Sequence, residues 1–140
     1  MVRPIDISSS ALVAQRIRLN TIASNIANVS TTRNADGDPA PYVRKRVVFE
    51  TGMPSQDSGQ GVHVSAIQDD VPGLPGAEPF RIEYEPGHPD ADPLGYVRYP
   101  NVDLTKEYVN ALETARAYEA NVQLIDVARS MASNLSRLLE

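Results

Sequence analysis

Glycine and proline are confined to the middle of this chain. All eight glycines fall between positions 37 and 95, and ten of the eleven prolines between 39 and 100, with Pro4 the exception. Two long segments, 5–34 and 101–140, therefore contain no helix breaker. The pattern predicts an α+β chain: long N- and C-terminal helices packed as a coiled-coil-like pair, with a small Gly/Pro-rich β insert between them. The boundaries expected are 1–34 for the N-terminal helix of a helical core, 35–100 for a β-rich outer domain, and 101–140 for the C-terminal helix of the core.

The first segment opens on Asp6 and Ser8-Ser9-Ser10, which can accept from the orphan amides of a first turn. Leu12, Leu19, Ile22, Ala23 and Ile26 follow at helical spacing, so a helix is expected over about 8–28. The β-branched, hydroxyl-rich run from Val29 to Thr32 should end it.

The last segment repeats more strongly. Pro100 blocks helix upstream, and Asn101 and Asp103 offer caps. Tyr108, Ala111, Ala115, Tyr118, Val122 and Ile125 follow a 4/3 spacing, and Leu124, Ala128, Met131, Leu135 and Leu138 form a second, slightly rotated stripe. A helix of this length reaches beyond 50 Å at about 1.5 Å per residue, far more than the first helix can cover. Other chains are the obvious cover for the remainder. Asn25, Asn28 and Asn121 interrupt or flank these stripes; a buried Asn can fix helix register, and a local one can bond its own helix.

The insert reads as short strands between turns. Residues 42–50, 61–67, 80–85 and 96–99 alternate or are β-branched and aromatic, separated by Asp-Gly, Pro-Gly and His-Pro turns.

Composition closes several routes to function. The longest apolar run is the four residues Ala11 to Ala14, too short for a membrane span or a secretory signal. There is no cysteine, so thiolate metal sites, disulfides and cysteine nucleophiles are excluded. Residues 1–33 carry a net +3, 34–100 a net −6 and 101–140 a net −2. An acidic middle argues against nucleic acid as a partner. Neither a phosphate-binding glycine loop nor a nucleophile elbow is present. Arg44-Lys45-Arg46 could meet a phosphate or an acidic partner. His88, Asp90 and Asp92 could in principle ligate a metal, but prolines at 86, 89 and 93 make turn composition the simpler account. The loop formed by Pro86, His88, Pro89, Asp90 and Asp92 is expected to act by its fixed shape, not its carboxylates. No catalytic residue and no cofactor is expected.

The segment Ala23-Ser24-Asn25-Ile26-Ala27-Asn28-Val29-Ser30-Thr31-Thr32-Arg33 resembles the N-terminal signature of bacterial flagellar rod and hook proteins. Tyr84 to Asp92, Gly95-Tyr96-Val97 and Pro100-Asn101-Val102-Asp103 resemble the proximal-rod branch of that family. Glu107, Asn110 and the run Ala115 to Val122 continue the likeness into the last helix. The resemblance implies a non-enzymatic structural subunit of the flagellar basal body, located in the periplasmic rod. It also implies export through the flagellar type III apparatus without a cleaved signal peptide, and partners that are other copies of the chain and other rod proteins. On this reading the assembly interface comprises Leu12, Leu19, Ile22, Asn25, Ile26, Asn28, Tyr108, Ala115, Tyr118, Asn121, Val122, Ile125, Met131, Leu135 and Leu138. The loop 86–93 would contact neighbours from the outer domain. The competing readings are a sister rod subunit, a non-flagellar coiled-coil adaptor, and a metal-dependent hydrolase built on His88, Asp90 and Asp92.

Overall fold

The computed structural model describes residues 4–52, 61–71 and 79–138, with Pro4 and 135–138 described by their backbone alone. The fold is α+β. Helix α1 runs Pro4–Ala27, strands β1 to β4 are Lys45–Thr51, Val62–Asp69, Phe80–Tyr84 and Tyr96–Pro100, and helix α2 runs Leu104–Leu138.

α1 begins one turn earlier than the serine cluster suggests. Proline suits a first helical turn, where its missing N–H would be unpaired in any case, so Pro4 opens the helix and does not delay it. At the other end the Asn28 amide N–H and its side-chain Nδ2 both donate to the Ser24 carbonyl, at 3.1 and 2.8 Å. The Thr31 hydroxyl then donates to Asn28 Oδ1 at 3.1 Å. Asn28 thus closes its own helix.

α2 starts as its sequence suggests. Asp103 Oδ1 accepts the amides of Thr105 and Lys106 at 2.9 and 3.3 Å, and the Asp103 carbonyl accepts the Glu107 amide at 3.0 Å. One carboxylate therefore satisfies two of the first-turn donors that a helix leaves unpaired.

The strands form two two-stranded sheets, β1 with β2 and β3 with β4. The β3–β4 pair is antiparallel, with Phe80 opposite Pro100, Glu83 opposite Val97 and Tyr84 opposite Tyr96. Such a ribbon is marginal alone, and this one is fastened by its connection. Glu85 N–H donates to the Gly95 carbonyl at 2.8 Å, and Asp92 N–H donates to that of Tyr96 at 2.9 Å. Asp92 Oδ1 accepts the amides of Leu94 and Tyr96, at 2.8 and 2.9 Å. Gly95 sits at φ +85°, and a Cβ there would stand 2.9 Å from the Tyr84 ring and 3.1 Å from Pro86 Cβ. Only glycine fits this turn without strain.

The chain gathers into two compact units. One comprises residues 1–20, 47–67 and 111–140; the other comprises 21–46 and 68–110. In the second unit Ile22, Val97, Pro100 and Val102 are buried. In the first, Ser8 and Ala14 are buried, and the Ser10 hydroxyl accepts the Val62 amide at 3.1 Å.

Candidate functional site

The most heavily buried polar side chains of the 21–46/68–110 unit belong to Asn25 and Glu107, which are 1% and 0% exposed. Asn25 lies in the last turn of α1, and Glu107 in the first turn of α2. Arg44 immediately precedes β1, and Asp70 immediately follows β2. Four elements therefore bring these side chains to one point.

The contacts satisfy every polar atom of the Asn25 side chain. Its Nδ2 donates to the Lys45 carbonyl at 2.8 Å and to Glu107 Oε2 at 3.2 Å. Its Oδ1 accepts the Lys45 amide at 2.9 Å and the Tyr42 hydroxyl at 3.0 Å. Arg44 Nε donates to Glu107 Oε1 at 3.0 Å, a second guanidinium nitrogen donates to the same oxygen, and Nη1 bonds Asp70. Burial alone would push the Arg44 guanidinium down. Hydrogen bonds and charge from Glu107, and then from Asp70, overcome this and carry it above its ordinary value. A buried charge is tolerable only when paired and hydrogen-bonded, as Glu107 is here.

A second knot holds the β3–β4 connection. The Asp90 side chain is 4% exposed and faces Arg33 Nη2 at 2.6 Å and the Thr32 hydroxyl at 2.8 Å. The hydrogen bond from Arg33 is the main reason the Asp90 carboxyl is held below the usual carboxylate range; burial opposes it, and the Thr32 hydrogen bond and the charge of Arg33 add to it. His88 Nδ1 accepts the Asp90 amide at 3.1 Å. The expectation that this loop works by proline shape alone is thus incomplete, because a buried carboxylate fastens it to the segment that follows α1. With Asp90 committed to Arg33 and Thr32, and Asp92 Oδ1 to backbone amides, the loop's polar atoms serve structure. Among the described residues no three such side chains stand together as a metal cluster.

The assembly stripes expected from sequence distribute unevenly. Ile22 is buried within its own unit, while Leu12, Leu19 and Ile26 are partly covered. On α2 the most covered line runs through Glu107, Thr114, Asn121 and Ile125. The heptad line Tyr108, Ala115, Val122 lies one residue over, with Tyr108 and Val122 exposed. The offset has a physical reason: polar side chains with partners, such as Glu107, can occupy a buried line that a count of apolar residues passes over. Tyr118 and Met131 are also exposed, and Ile125 is half-buried. Asn121 Nδ2 donates to the Ala117 carbonyl at 2.7 Å, the local alternative to a register role. The side chains of Leu135 and Leu138 lie outside the described residues. In the loop, Pro86, Pro89 and Asp92 are exposed and His88 is partly covered.

Glu107 and Arg44 form a buried pair that the interface expected from sequence does not include. The available signal was the basic run 44–46, for which an acidic partner was one possibility; that partner is Glu107, 63 residues away in the same chain. Two cavities in the 21–46/68–110 unit, of about 560 and 440 Å³, border these knots. The larger is lined by Pro39, Pro41, Ile82, Tyr96 and Arg98 among others, and by Thr32 and Asp90, whose hydrogen bond belongs to the second knot.

Helical termini joined by buried polar knots, with exposed apolar residues along the longer helix, define a structural assembly subunit. Comparison with known families specifies the class: residues 5–33 match a model described as flagella basal body rod protein, and residues 94–138 match the C-terminal model of the flagellar basal body rod FlgEFG proteins. The chain is 45% identical to the flagellar basal-body rod protein FlgC of Yersinia enterocolitica, covering 90% of this chain and 88% of the relative. It is 37% identical to FlgC of Borreliella burgdorferi, over 97% and 95% of the two chains, and 38% identical to FlgC of Bacillus subtilis, over 91% and 90%. The chain belongs to the FlgC family of flagellar basal-body rod proteins.

The knots give the motifs of that family a shared physical role. Asn25 and Arg33 lie in the N-terminal signature, Asp90 in the middle motif and Glu107 in the start of α2. The Asn25–Glu107 and Arg33–Asp90 contacts each join one of these segments to another.

Proposed function

We propose that the chain assembles through its terminal helices, paired in coiled-coil fashion, into the drive shaft that carries motor torque. It is a structural subunit of the proximal rod of the bacterial flagellar basal body. The carrying observation is α2: across 35 residues it leaves Tyr108, Leu112, Leu124, Val127 and Met131 exposed. Exposed apolar groups in this number on one helix mark a surface made to be covered. The segments 1–34 and 101–140 form the helical core in this reading, and 35–100 forms the outer part, whose 86–93 loop meets neighbours. The interface draws on Leu12, Leu19 and Ile26 of α1 and on Tyr108, Tyr118, Val122 and Met131 of α2.

Its partners are other copies and other rod proteins, reached in the periplasm after export through the flagellar type III apparatus without a cleaved signal. No helix among the described residues is long and apolar enough to cross a membrane. The role is mechanical, with no catalytic residue and no cofactor. Deleting the gene and isolating basal bodies tests this. Loss of the rod and of swimming, restored by the wild-type chain, is expected; normal rods without the chain would overturn it.

A further inference from the structure

We propose that the outer edge of β3 pairs antiparallel with the outer edge of β2 of a second copy, Ile82 lying opposite Ile67 of that copy. The inference rests on the rod-subunit reading above and adds to it a contact made by backbone.

Antiparallel strands alternate between residues that bond each other and residues whose N–H and C=O point away from the partner strand. In the β3–β4 ribbon the Glu85 amide donates to the Gly95 carbonyl, which sets the phase. Glu83 and Val97 therefore bond each other, while Ile82 and Tyr84 turn their backbone groups to the outer edge of β3. Their side chains are 56% and 65% exposed there. β2 is phased in the same way. The Asp70 amide donates to the Arg44 carbonyl, and Asn25 takes both backbone groups of Lys45, so Asp69 and Ile67 turn theirs away from β1. Ile67 is 52% exposed, and Asp69 is exposed beside it. No hydrogen bond from another described residue reaches these four outward-facing positions.

The other strand edges are engaged within the chain. On β4, the Tyr96 amide donates to Asp92 Oδ1, the Tyr96 carbonyl accepts the Asp92 amide, and Pro100 has no N–H to offer. Lys45 opens β1 already held by Asn25, and Val62 opens β2 by donating to the Ser10 hydroxyl. An open edge carrying apolar side chains is a template for another strand. The charges on β3 do not oppose one, because Arg81 and Glu83 bond each other at 2.8 Å.

The polarity of a rod decides how the two open edges meet. β3 against β3, or β2 against β2, is isologous and closes as a dimer, whereas β3 against β2 is heterologous and leaves every copy an edge for the next. With Ile82 opposite Ile67, two half-exposed apolar side chains cover each other. Tyr84 then lies diagonal to Ile67, an aromatic and β-branched combination that stabilises sheets.

The chain has no cysteine, so introduced thiols report without background. An untagged Ile82→Cys chain and a tagged Ile67→Cys chain are produced in the same cells, and isolated basal bodies are treated with a mild oxidant. Cα atoms in such a pair stand about 5.5 Å apart, within the reach of a disulfide. The expected product joins one tagged to one untagged chain, is cleaved by reductant, and forms only when both variants are present. Should either variant not enter basal bodies, Arg81→Cys with Gln68→Cys, exposed neighbours on the other face of the same pairing, takes its place. Both copies present without a linked product, or linkage from one variant alone, overturns the inference while leaving the rod reading intact. Absence of the unmodified chain from basal bodies overturns that reading and the inference with it.

Discussion

The side-chain amide of Asn25 faces the backbone of Lys45 as one strand residue faces another, donating to its carbonyl at 2.8 Å and accepting its amide at 2.9 Å. β1 is thereby anchored at its first residue by a helix. The same amide also donates to Glu107, so one side chain ties the start of the first strand to the first turn of α2. A hydrophobic residue of equal size could fill this volume but could not make the hydrogen bonds that Lys45 and the buried Glu107 receive here.

Removing that amide should therefore cost more than its volume suggests. Asn25→Ala leaves the Lys45 amide and carbonyl and one Glu107 carboxylate oxygen short of a partner; the buried carboxylate oxygen should cost about 1–3 kcal/mol, and the part-buried backbone groups less. Asn25→Asp keeps the shape, but it turns an oxygen toward the Lys45 carbonyl and the Glu107 carboxylate. It is expected to be the more destabilising of the two at neutral pH. Urea denaturation of the three proteins checks this, and an Asp variant as stable as wild type would refute the role given to Asn25.

The Arg33–Asp90 pair predicts an acid-dependent loss of stability. Asp90 is held below the usual carboxylate range in the folded protein, mainly by the Arg33 hydrogen bond. The unfolded chain therefore binds a proton at Asp90 more readily than the folded chain does, and stability rises with pH wherever that difference operates. The contribution is complete above the ordinary Asp range, near pH 4, and is lost as pH falls through the lower folded-state value. Asp90→Asn should be less stable than wild type at neutral pH and should show a shallower decline on acidification. Parallel slopes for the two proteins between about pH 6 and pH 2 would contradict the linkage.

Gly95 offers a sharper local test. Its φ of +85° and the 2.9 Å approach a Cβ would make to the Tyr84 ring act together. Gly95→Ala should cost about 1–3 kcal/mol from the left-handed backbone, with more from displacing Tyr84 out of its edge-to-face contact with Tyr96, whose ring centre lies 5.3 Å away. A second alanine variant at Gly87, where a Cβ meets nothing within 4 Å, is the control and should be nearly silent. Equal melting temperatures for the two variants would remove the case for this turn.

Local signals in the chain translated into local structure. The confinement of glycine and proline placed both helices and the insert, alternation over 61–67 and 80–85 located β2 and β3, and Asp103 capped α2 as its position suggests. What stayed hidden depends on separation in sequence. Glu107 looks like an ordinary first-turn acid until Arg44 and Asn25 arrive from 63 and 82 positions away. Asp90 looks like turn composition until Arg33 closes on it. Hydrophobic periodicity marks apolar lines only, so it indicated Tyr108, Ala115 and Val122 while the covered line, one residue over, carries Glu107, Thr114 and Asn121. No short-range pattern announces a buried polar partner.

The exposed apolar residues of the distal half of α2 lead to a last expectation, about the isolated chain. Fixing a backbone residue costs about 1–2 kcal/mol in conformational entropy, and an isolated helix recovers this poorly unless an apolar face is packed. At its start α2 has the Asp103 cap and the buried Glu107, and two turns later the fully buried Thr114. Beyond Asn121 the balance changes: Leu124, Val127 and Met131 are each more than half exposed, and of residues 122–134 all but Ile125 and Ala128 are exposed. Amide exchange on dilute, verified monomer should therefore show protection falling along α2, strong over about 107–118 and weak over 124–134. In isolated basal bodies, where a neighbour supplies the missing surface, the distal stretch should become protected by several orders of magnitude. The gradient and its disappearance are both required. Strong protection over 124–134 in the monomer would mean that α2 is stable without a partner, and that ordering of its distal half is not what couples this subunit to the rod.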